Sequence, residues 1–185
     1  MFSIFQSKRV NGGDRVGGIT FGVSSVYGGT GRKEKEEWKK RGKLHRFTGP
    51  ALTYYYENGM KSEERWYQNG ELRRSYGPVF TSHYKNGMKE EERWCKNGEI
   101  HRSRGPALTH YYENGMKVAE NWYENGVRHR LSGPASTYYY KNGMISEESW
   151  YENGIIHRSA GPASTYYYKN GMVERESWYE NGKQA

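Results

Sequence analysis

Residues Glu63–Met88 read EERWYQNGELRRSYGPVFTSHYKNGM, and residues Glu91–Met116 read EERWCKNGEIHRSRGPALTHYYENGM. The second stretch is a variant of the first, displaced by 28 residues. The same step separates Trp38, Trp66, Trp94, Trp122, Trp150 and Trp178, which are all six tryptophans of the chain. A fixed period of this size marks a repeat protein. Residues that recur in every copy are expected to bury neighbouring copies rather than to carry chemistry.

Other columns keep the same step. Gly-Pro recurs at Gly49-Pro50, Gly77-Pro78, Gly105-Pro106, Gly133-Pro134 and Gly161-Pro162. Asn-Gly recurs in two phases, one starting at Asn58-Gly59 and one at Asn69-Gly70. A glutamate stands two residues before each tryptophan: Glu36, Glu64, Glu92, Glu120, Glu148 and Glu176.

Asn-Gly between strand-like segments predicts a two-residue hairpin loop, because a type I′ turn needs positive φ at both central residues. With Asn58-Gly59 as that loop, Glu57 pairs with Met60, Tyr55 with Ser62, Thr53 with Glu64 and Ala51 with Trp66. The opposite face then takes Tyr56 with Lys61, Tyr54 with Glu63 and Leu52 with Arg65. The second turn pairs Trp66 with Arg73, and in the other copies Trp38 with His45, Trp94 with His101, Trp122 with His129 and Trp150 with His157. The expectation is a Trp–His ladder with the glutamate column beside it, and Arg46, Arg74, Arg102, Arg130 and Arg158 on the other face. Proline is confined to edges, strand starts and bulges, so Gly-Pro reads as the bend before the next long strand. Two strands and two tight turns per copy give an all-β, elongated, single-layer antiparallel array of hairpins joined as a continuous meander.

A further, degenerate copy covers residues 21–48. Shifted by 28, Tyr27 matches Tyr55, and Thr30-Gly31 matches Asn58-Gly59; Glu36, Trp38 and His45 are in phase. It reads as a basic capping repeat. Residues 49–185 hold five repeats, the last one truncated. Residues 1–20, with Gly12-Gly13 and Gly17-Gly18, read as a flexible arm or an edge-covering segment.

The composition suits a thin body. Only 34% of the chain is apolar, and its aromatic content is mostly 18 tyrosines and six tryptophans, side chains fitted to half-exposed surfaces. Residues 1–46 carry eleven Lys/Arg and four Asp/Glu, a net +7, and residues 47–185 carry eighteen and seventeen, a net +1. The basic excess therefore lies at one end. Cys95 is the only cysteine and fills a slot held elsewhere by Tyr67, Tyr123, Tyr151 and Tyr179, which suggests packing and a reducing, intracellular compartment. No apolar run reaches transmembrane length, and Met1–Phe5 is too short for a signal-peptide core.

The unit Glu63–Met88 resembles the MORN repeat, with Trp66 in its aromatic slot and Asn69-Gly70 as its turn. His-Arg-x-x-Gly-Pro-Ala, as in His101–Ala107, stands in place of the family's His-Gly-x-Gly. The array is similar to W-Y-x-N-G-x-x-H-R-x-x-G-P-A arrays common in large DNA viruses and some phages. The resemblance covers roughly residues 21–185. It implies a non-catalytic scaffold in a viral, virion-associated setting. The loss of His-Gly-x-Gly sets aside any lipid role carried over from the family.

No catalytic, cofactor or metal site emerges from the columns. His45, His101, His129 and His157 fall one per repeat, about 10 Å apart at two strands per step, too far to share a metal held at about 2 Å. The carboxylates Glu64, Glu92, Glu120, Glu148 and Glu176 have the same spacing problem against the roughly 5–9.5 Å of a hydrolase pair. These columns are read as framework, bonded among themselves. Tyr56, Tyr84, Tyr112, Tyr140 and Tyr168, together with Arg74, Arg102, Arg130 and Arg158, form the expected interaction surface, since exposed Tyr and Arg are typical of protein interfaces. The expected partners are proteins or further copies of the chain, with no cofactor and no small-molecule substrate. The alternative is an anionic membrane, bound by the basic end with Phe2, Ile4 and Phe5 as anchors. Nucleic acid is disfavoured by the near-neutral array.

Overall fold

In the computed structural model, residues 6–10 and 21–185 are described. Phe2, Ile4, Phe5 and the glycine pairs at 12–13 and 17–18 lie outside them. The described residues are all-β, with no helix. They divide into two compact units, residues 1–88 and 89–185.

Unit 1 contains β1 (Gln6–Val10), β2 (Phe21–Tyr27), β3 (Lys33–Lys40), β4 (Lys43–Leu44), β5 (Leu52–Tyr55), β6 (Lys61–Arg65), β7 (Tyr67–Gln68), β8 (Glu71–Leu72) and β9 (Phe80–His83). Its sheet runs β1-β2-β3-β5-β6-β9, with β4 attached to β3. Unit 2 contains β10 (Lys89–Arg93), β11 (Cys95–Lys96), β12 (Glu99–Ile100), β13 (Leu108–Tyr111), β14 (Lys117–Asn121), β15 (Tyr123–Glu124), β16 (Val127–Arg128), β17 (Ser136–Tyr139), β18 (Ile145–Ser149), β19 (Tyr151–Glu152), β20 (Ile155–Ile156), β21 (Ser164–Tyr167), β22 (Val173–Ser177), β23 (Tyr179–Glu180) and β24 (Lys183–Gln184). Its sheet runs β10-β13-β14-β17-β18-β21-β22. All of these pairings are antiparallel. Each unit is therefore an open layer of consecutive hairpins.

The chain is not the continuous meander expected. β6 pairs directly with β9, with Glu64 opposite Thr81 and Arg65 opposite Phe80. The residues between them leave the sheet as a separate two-stranded hairpin, β7-β8. β11-β12, β15-β16, β19-β20 and β23-β24 do the same. The excursions that start at Trp66, Trp94, Trp122 and Trp150 are closed at the base by a backbone bond, such as Trp66 N–H to the Val79 carbonyl at 2.8 Å and Trp122 N–H to the Ala135 carbonyl at 2.7 Å. The residue after each proline sits at that closure and is fully buried: Ala51, Val79, Ala107, Ala135 and Ala163 are each 0% exposed. The core is this row of small residues plus the Thr/Glu row beside it, not a thick hydrophobic interior.

The two Asn-Gly phases make different turns. Asn69, Asn97, Asn125, Asn153 and Asn181 have φ between 48° and 54°, and the glycine after each is also positive. This is the expected type I′ turn; Tyr67 pairs with Leu72, and the predicted pairing of Trp66 with Arg73 is made by the Arg73 N–H to the Trp66 carbonyl at 2.9 Å. The Asn58 phase is different. Gly59 N–H bonds the Tyr56 carbonyl at 2.9 Å and Tyr56 N–H bonds the Met60 carbonyl at 2.8 Å, so the loop has three residues. Only its glycine has positive φ, 85°, as in a type I turn closed by a glycine bulge. The Asn58 side-chain oxygen accepts the Met60 N–H at 3.0 Å, and this local bond holds the asparagine outside the left-handed region. The register therefore shifts by one between Tyr54 and Tyr55. Tyr54 faces Glu63 as predicted, but Tyr55 faces Lys61 rather than Ser62, and Tyr56 meets Met60.

The degenerate copy folds as a repeat. β2 and β3 form its long hairpin, with Val23 opposite Trp38. Gly28 and Gly31 bond as Tyr56 and Gly59 do. β1 pairs along β2 from Gln6–Tyr27 to Val10–Val23, so this part of the arm covers the edge of β2. In the small turn of this copy Arg41 takes the asparagine place, at φ 49°. A non-glycine residue there costs about 1 kcal/mol or more, and asparagine tolerates it best. Arg41→Asn is expected to raise stability by about 1 kcal/mol, read as an upward shift of the thermal midpoint. An unchanged or lowered midpoint would refute strain at this turn.

Candidate functional site

The recurring side chains do come together, but with partners other than those expected. The predicted Trp–His pairs form in the backbone, with the N–H of His45, His101, His129 and His157 bonding the carbonyls of Trp38, Trp94, Trp122 and Trp150 at 2.9–3.2 Å, but an arginine stacks on each of the first five tryptophan rings. The guanidinium carbons of Arg46, Arg74, Arg102, Arg130 and Arg158 lie 4.0, 3.7, 3.8, 3.9 and 4.0 Å from the ring centroids of Trp38, Trp66, Trp94, Trp122 and Trp150. Alternation places Arg and Trp on opposite faces only if the strand stays straight. The chain bends at the small hairpin, and the arginine folds back over the ring. Each guanidinium also donates to the carbonyl of the proline four residues on, at 3.1–3.4 Å. The glycine before that proline has to be glycine. A Cβ on Gly77 would stand 2.5 Å from the Arg74 guanidinium carbon, and one on Gly105 would stand 2.8 Å from that of Arg102. At Gly105 φ is also 129°, a region L side chains rarely enter.

The histidines link one small hairpin to the next. The Nδ1 atoms of His45, His101, His129 and His157 accept the backbone N–H of Asn69, Asn125, Asn153 and Asn181 at 2.9, 3.1, 3.1 and 3.2 Å. Backbone bonds run alongside, such as Gly70 N–H to the Leu44 carbonyl at 2.8 Å and Gly126 N–H to the Ile100 carbonyl at 2.9 Å. The expected bond between histidine and the recurring glutamate is not made. His45 is 1% exposed, and burial, then the charge of Lys40, hold its imidazole below the usual range.

The glutamates alternate with threonines across each sheet: Glu36, Thr53, Glu64 and Thr81 in unit 1, and Glu92 through Glu176 in unit 2. The oxygens of Glu92 and Glu120 are shared between two partners. Lys89 and Lys117 take one oxygen of Glu92 and Glu120 at 2.7 and 2.6 Å. Tyr111, Tyr139 and Tyr167 of the following copy donate to the other oxygen of Glu92, Glu120 and Glu148 at 2.7, 2.6 and 2.7 Å. Lys61 holds Glu64 at 2.6 Å, with His83 Nε2 3.9 Å from its other oxygen. Burial pushes the Glu92 carboxyl up, but its bonds to Lys89 and Tyr111 outweigh that and hold it below its usual range.

The tyrosines expected at an interaction surface are partly committed as well. Tyr56, Tyr112 and Tyr140 donate their hydroxyls to the carbonyls of His83, Tyr139 and Tyr167 in the next copy, at 2.7, 2.8 and 2.6 Å. Tyr84 is half-buried, and Tyr168 is 49% exposed. With the arginines stacked on tryptophan, the exposed apolar side chains include ones that vary between copies, Tyr76 at 90%, Leu131 at 85% and Phe47 at 59%, beside the recurring Met60, Met88, Met116, Met144 and Met172 at 40–66%. Trp178 is 46% exposed.

Among the described residues no group of three or more His, Cys, Asp or Glu is arranged to hold a metal ion. Burial pushes the Cys95 thiol up, away from the reactive thiolate. An open hollow of about 430 Å³ lies against Tyr55, Tyr56, Glu57, Asn58 and Lys85. Sequence reasoning missed three partners: arginine for tryptophan, the next hairpin's amide for histidine, and tyrosine nineteen residues on for glutamate. The constant interval from each Arg to the following Gly-Pro was the available signal for the first.

The Glu–Tyr bonds have a titration consequence. Burial, then the bond to Glu148, push the Tyr167 phenol up to about 12, and Tyr111 and Tyr139 are raised by the same causes with Glu92 and Glu120. A raised folded value means that the stabilisation is complete below the ordinary phenol value of about 10 and is lost as pH rises toward about 12. Phenolate absorbance is expected to show a late-ionising class that Tyr167→Phe reduces. Ionisation of Tyr167 together with the bulk tyrosines would overturn the bond.

Comparison with known proteins finds no family model, no curated protein and no solved structure that matches this chain.

Proposed function

We propose that the chain is a non-catalytic scaffold whose sheet displays variable side chains to protein partners or to further copies of itself. One observation supports this reading. The recurring polar groups that could do chemistry are spent on neighbouring copies, whereas Phe47, Tyr76 and Leu131, which differ from copy to copy, face solvent. Aromatic side chains at the surface are enriched where protein interfaces form. The resemblance to viral arrays adds assembly within a virion as the setting of this proposal.

The test uses substitutions already present in other copies. Serine occupies the Phe47 and Leu131 slot at Ser75, Ser103 and Ser159, and the Tyr76 slot at Ser132. A Phe47→Ser, Tyr76→Ser, Leu131→Ser variant leaves the tryptophan–arginine, histidine–amide and glutamate–tyrosine contacts in place. It is expected to keep its thermal midpoint and to lose self-association by light scattering, or retention of the partner that the parent chain captures. A monomeric parent that retains nothing, or a variant that retains as much, would count decisively against the proposal.

A second reading, binding to an anionic membrane, is favoured by the small hairpin of the capping copy. Its turn region holds Lys39, Lys40, Arg41 and Lys43 without an acidic residue, where the next copy has Tyr67, Gln68, Asn69 and Glu71. Arg41 and Lys43 are exposed, and Lys40 Nζ lies 5.9 Å from the centroid of the exposed Phe47 ring. Cations around an apolar side chain suit an anionic lipid surface, at about 1 kcal/mol per cation. Co-sedimentation with vesicles containing phosphatidylserine should weaken about fivefold for each of Arg41→Asn and Lys43→Gln. Equal sedimentation of parent and variants removes this reading without touching the first.

A further inference from the structure

The four histidine bonds join consecutive small hairpins through an acceptor that exists only on the neutral ring. Nδ1 accepts a backbone N–H in every one of them. An imidazolium has no free lone pair, so protonation at Nδ1 removes the bond. The copies differ in what stands beside the other nitrogen. His129 Nε2 is 3.8 Å from Glu124 Oε2, and His157 Nε2 is 3.8 Å from Glu152 Oε2. Both glutamates belong to the same small hairpin as their histidine, at the end of β15 and of β19. The equivalent slot holds Lys40 for His45 and Lys96 for His101.

We propose that His129 and His157 are proton-operated latches between consecutive small hairpins of unit 2, closed when neutral and opened in mild acid, while His45 stays closed. The neutral ring is tied to the next hairpin by the Asn153 or Asn181 amide. The charged ring loses that tie and gains an ion pair with Glu124 or Glu152 in its own hairpin, so the proton exchanges a link between copies for a link within one. These carboxylates are 57% and 56% exposed, whereas the histidine side chains are 11% and 18% exposed. Protons and solvent therefore reach the pair without unfolding the sheet. On the partner hairpin, Glu152 precedes Asn153 in its turn, and Glu180 and Lys183 flank the turn that contains Asn181. Arg130 and Arg158, adjacent in sequence to the two histidines, are held over Trp122 and Trp150. At His45 the surroundings work the other way. The ring is buried, it meets Phe47 edge-on at 4.5 Å, and Lys40 places a like charge beside any imidazolium. Its lowered value agrees: that bond is intact above about pH 6.5 and is lost only as pH falls through the depressed folded value. The long hairpins of unit 2 are paired through backbone bonds that do not titrate here, and the small hairpins keep theirs, such as Gly154 N–H to the Arg128 carbonyl at 2.8 Å and Gly182 N–H to the Ile156 carbonyl at 3.0 Å, so acid releases the histidine tie and loosens the small hairpins while the sheet remains.

Amide hydrogen exchange of the full chain, normalised for intrinsic rates, tests this between about pH 7.5 and about pH 5. Protection of the Asn153 and Asn181 amides is expected to fall about tenfold per pH unit, each below its own midpoint. Over the same range Asn69 should keep its protection, as should the Thr137–Glu148 ladder. Glu124→Gln and Glu152→Gln, at exposed positions, should move the midpoint to lower pH, and Lys40→Glu should bring the loss at Asn69 into the window. Flat protection at Asn153 and Asn181, loss simultaneous with the Thr137–Glu148 ladder, or a midpoint unmoved by the glutamine variants would overturn the proposal.

Discussion

An arginine guanidinium laid flat on an indole ring, with its edge bonded to a proline carbonyl, is the contact on which each copy depends. It occurs five times with ring distances that differ by only a few tenths of an ångström. The stack accounts for several recurring residues at once. The ring supplies a π-face for a weakly hydrated planar cation. The glycine leaves the space the cation occupies, and the proline turns its carbonyl toward it. Lysine could not replace this arginine, since a point charge on a flexible stem neither stacks nor reaches the carbonyl in the same geometry. By pinning the return of the chain, the stack lets fourteen residues leave the sheet and rejoin it with β6 and β9 still in register.

Given that fixed return, cohesion is a matter of nearest neighbours. The Tyr56 and Tyr112 hydroxyls, the Asn58 amide, the histidine Nδ1 atoms and the Glu–Tyr pairs each reach into the following copy. Few of these bonds are buried deeply enough to contribute more than about 1 kcal/mol each, and exposed ion pairs such as Lys61–Glu64 contribute less. Repetition makes them sufficient, as in other arrays whose stability is a sum over adjacent units. The same arrangement uses up the chemistry of the recurring residues. A carboxylate that already holds a lysine and a phenol is poorly placed to move a proton for a substrate, which directs attention to the positions where the copies disagree.

Much of the fold was legible in one dimension. The tryptophan step identified the repeat, and Asn69-Gly70 identified a type I′ turn, because asparagine and glycine tolerate positive φ. The pairing of Thr53 with Glu64 followed from counting outward from Asn58-Gly59. That count failed next to the turn itself, where the Asn58 side chain captured the Met60 amide and added a residue to the loop. The partners of Trp66, His45 and Glu92 were less legible. Strand alternation assigns faces only while a strand continues, and the chain bends between Trp66 and Tyr67. The histidine and glutamate partners lie 24 and 19 residues away in a neighbouring copy, beyond the reach of any hairpin count.

The sequence by itself determined the period, the all-β hairpin architecture, the capping copy around Trp38 and the concentration of positive charge there. Each of these is a local property of turn chemistry, strand pattern or composition. Only the tertiary structure decided that the fourteen residues between β6 and β9, and their counterparts in unit 2, leave the sheet, that arginine covers tryptophan, and that two of the histidines paired with tryptophan have a carboxylate within 4 Å while a third has a lysine beside it. Those outcomes depend on where a bent chain brings side chains from separate turns, and that position is set by packing between copies rather than by the order of residues within one.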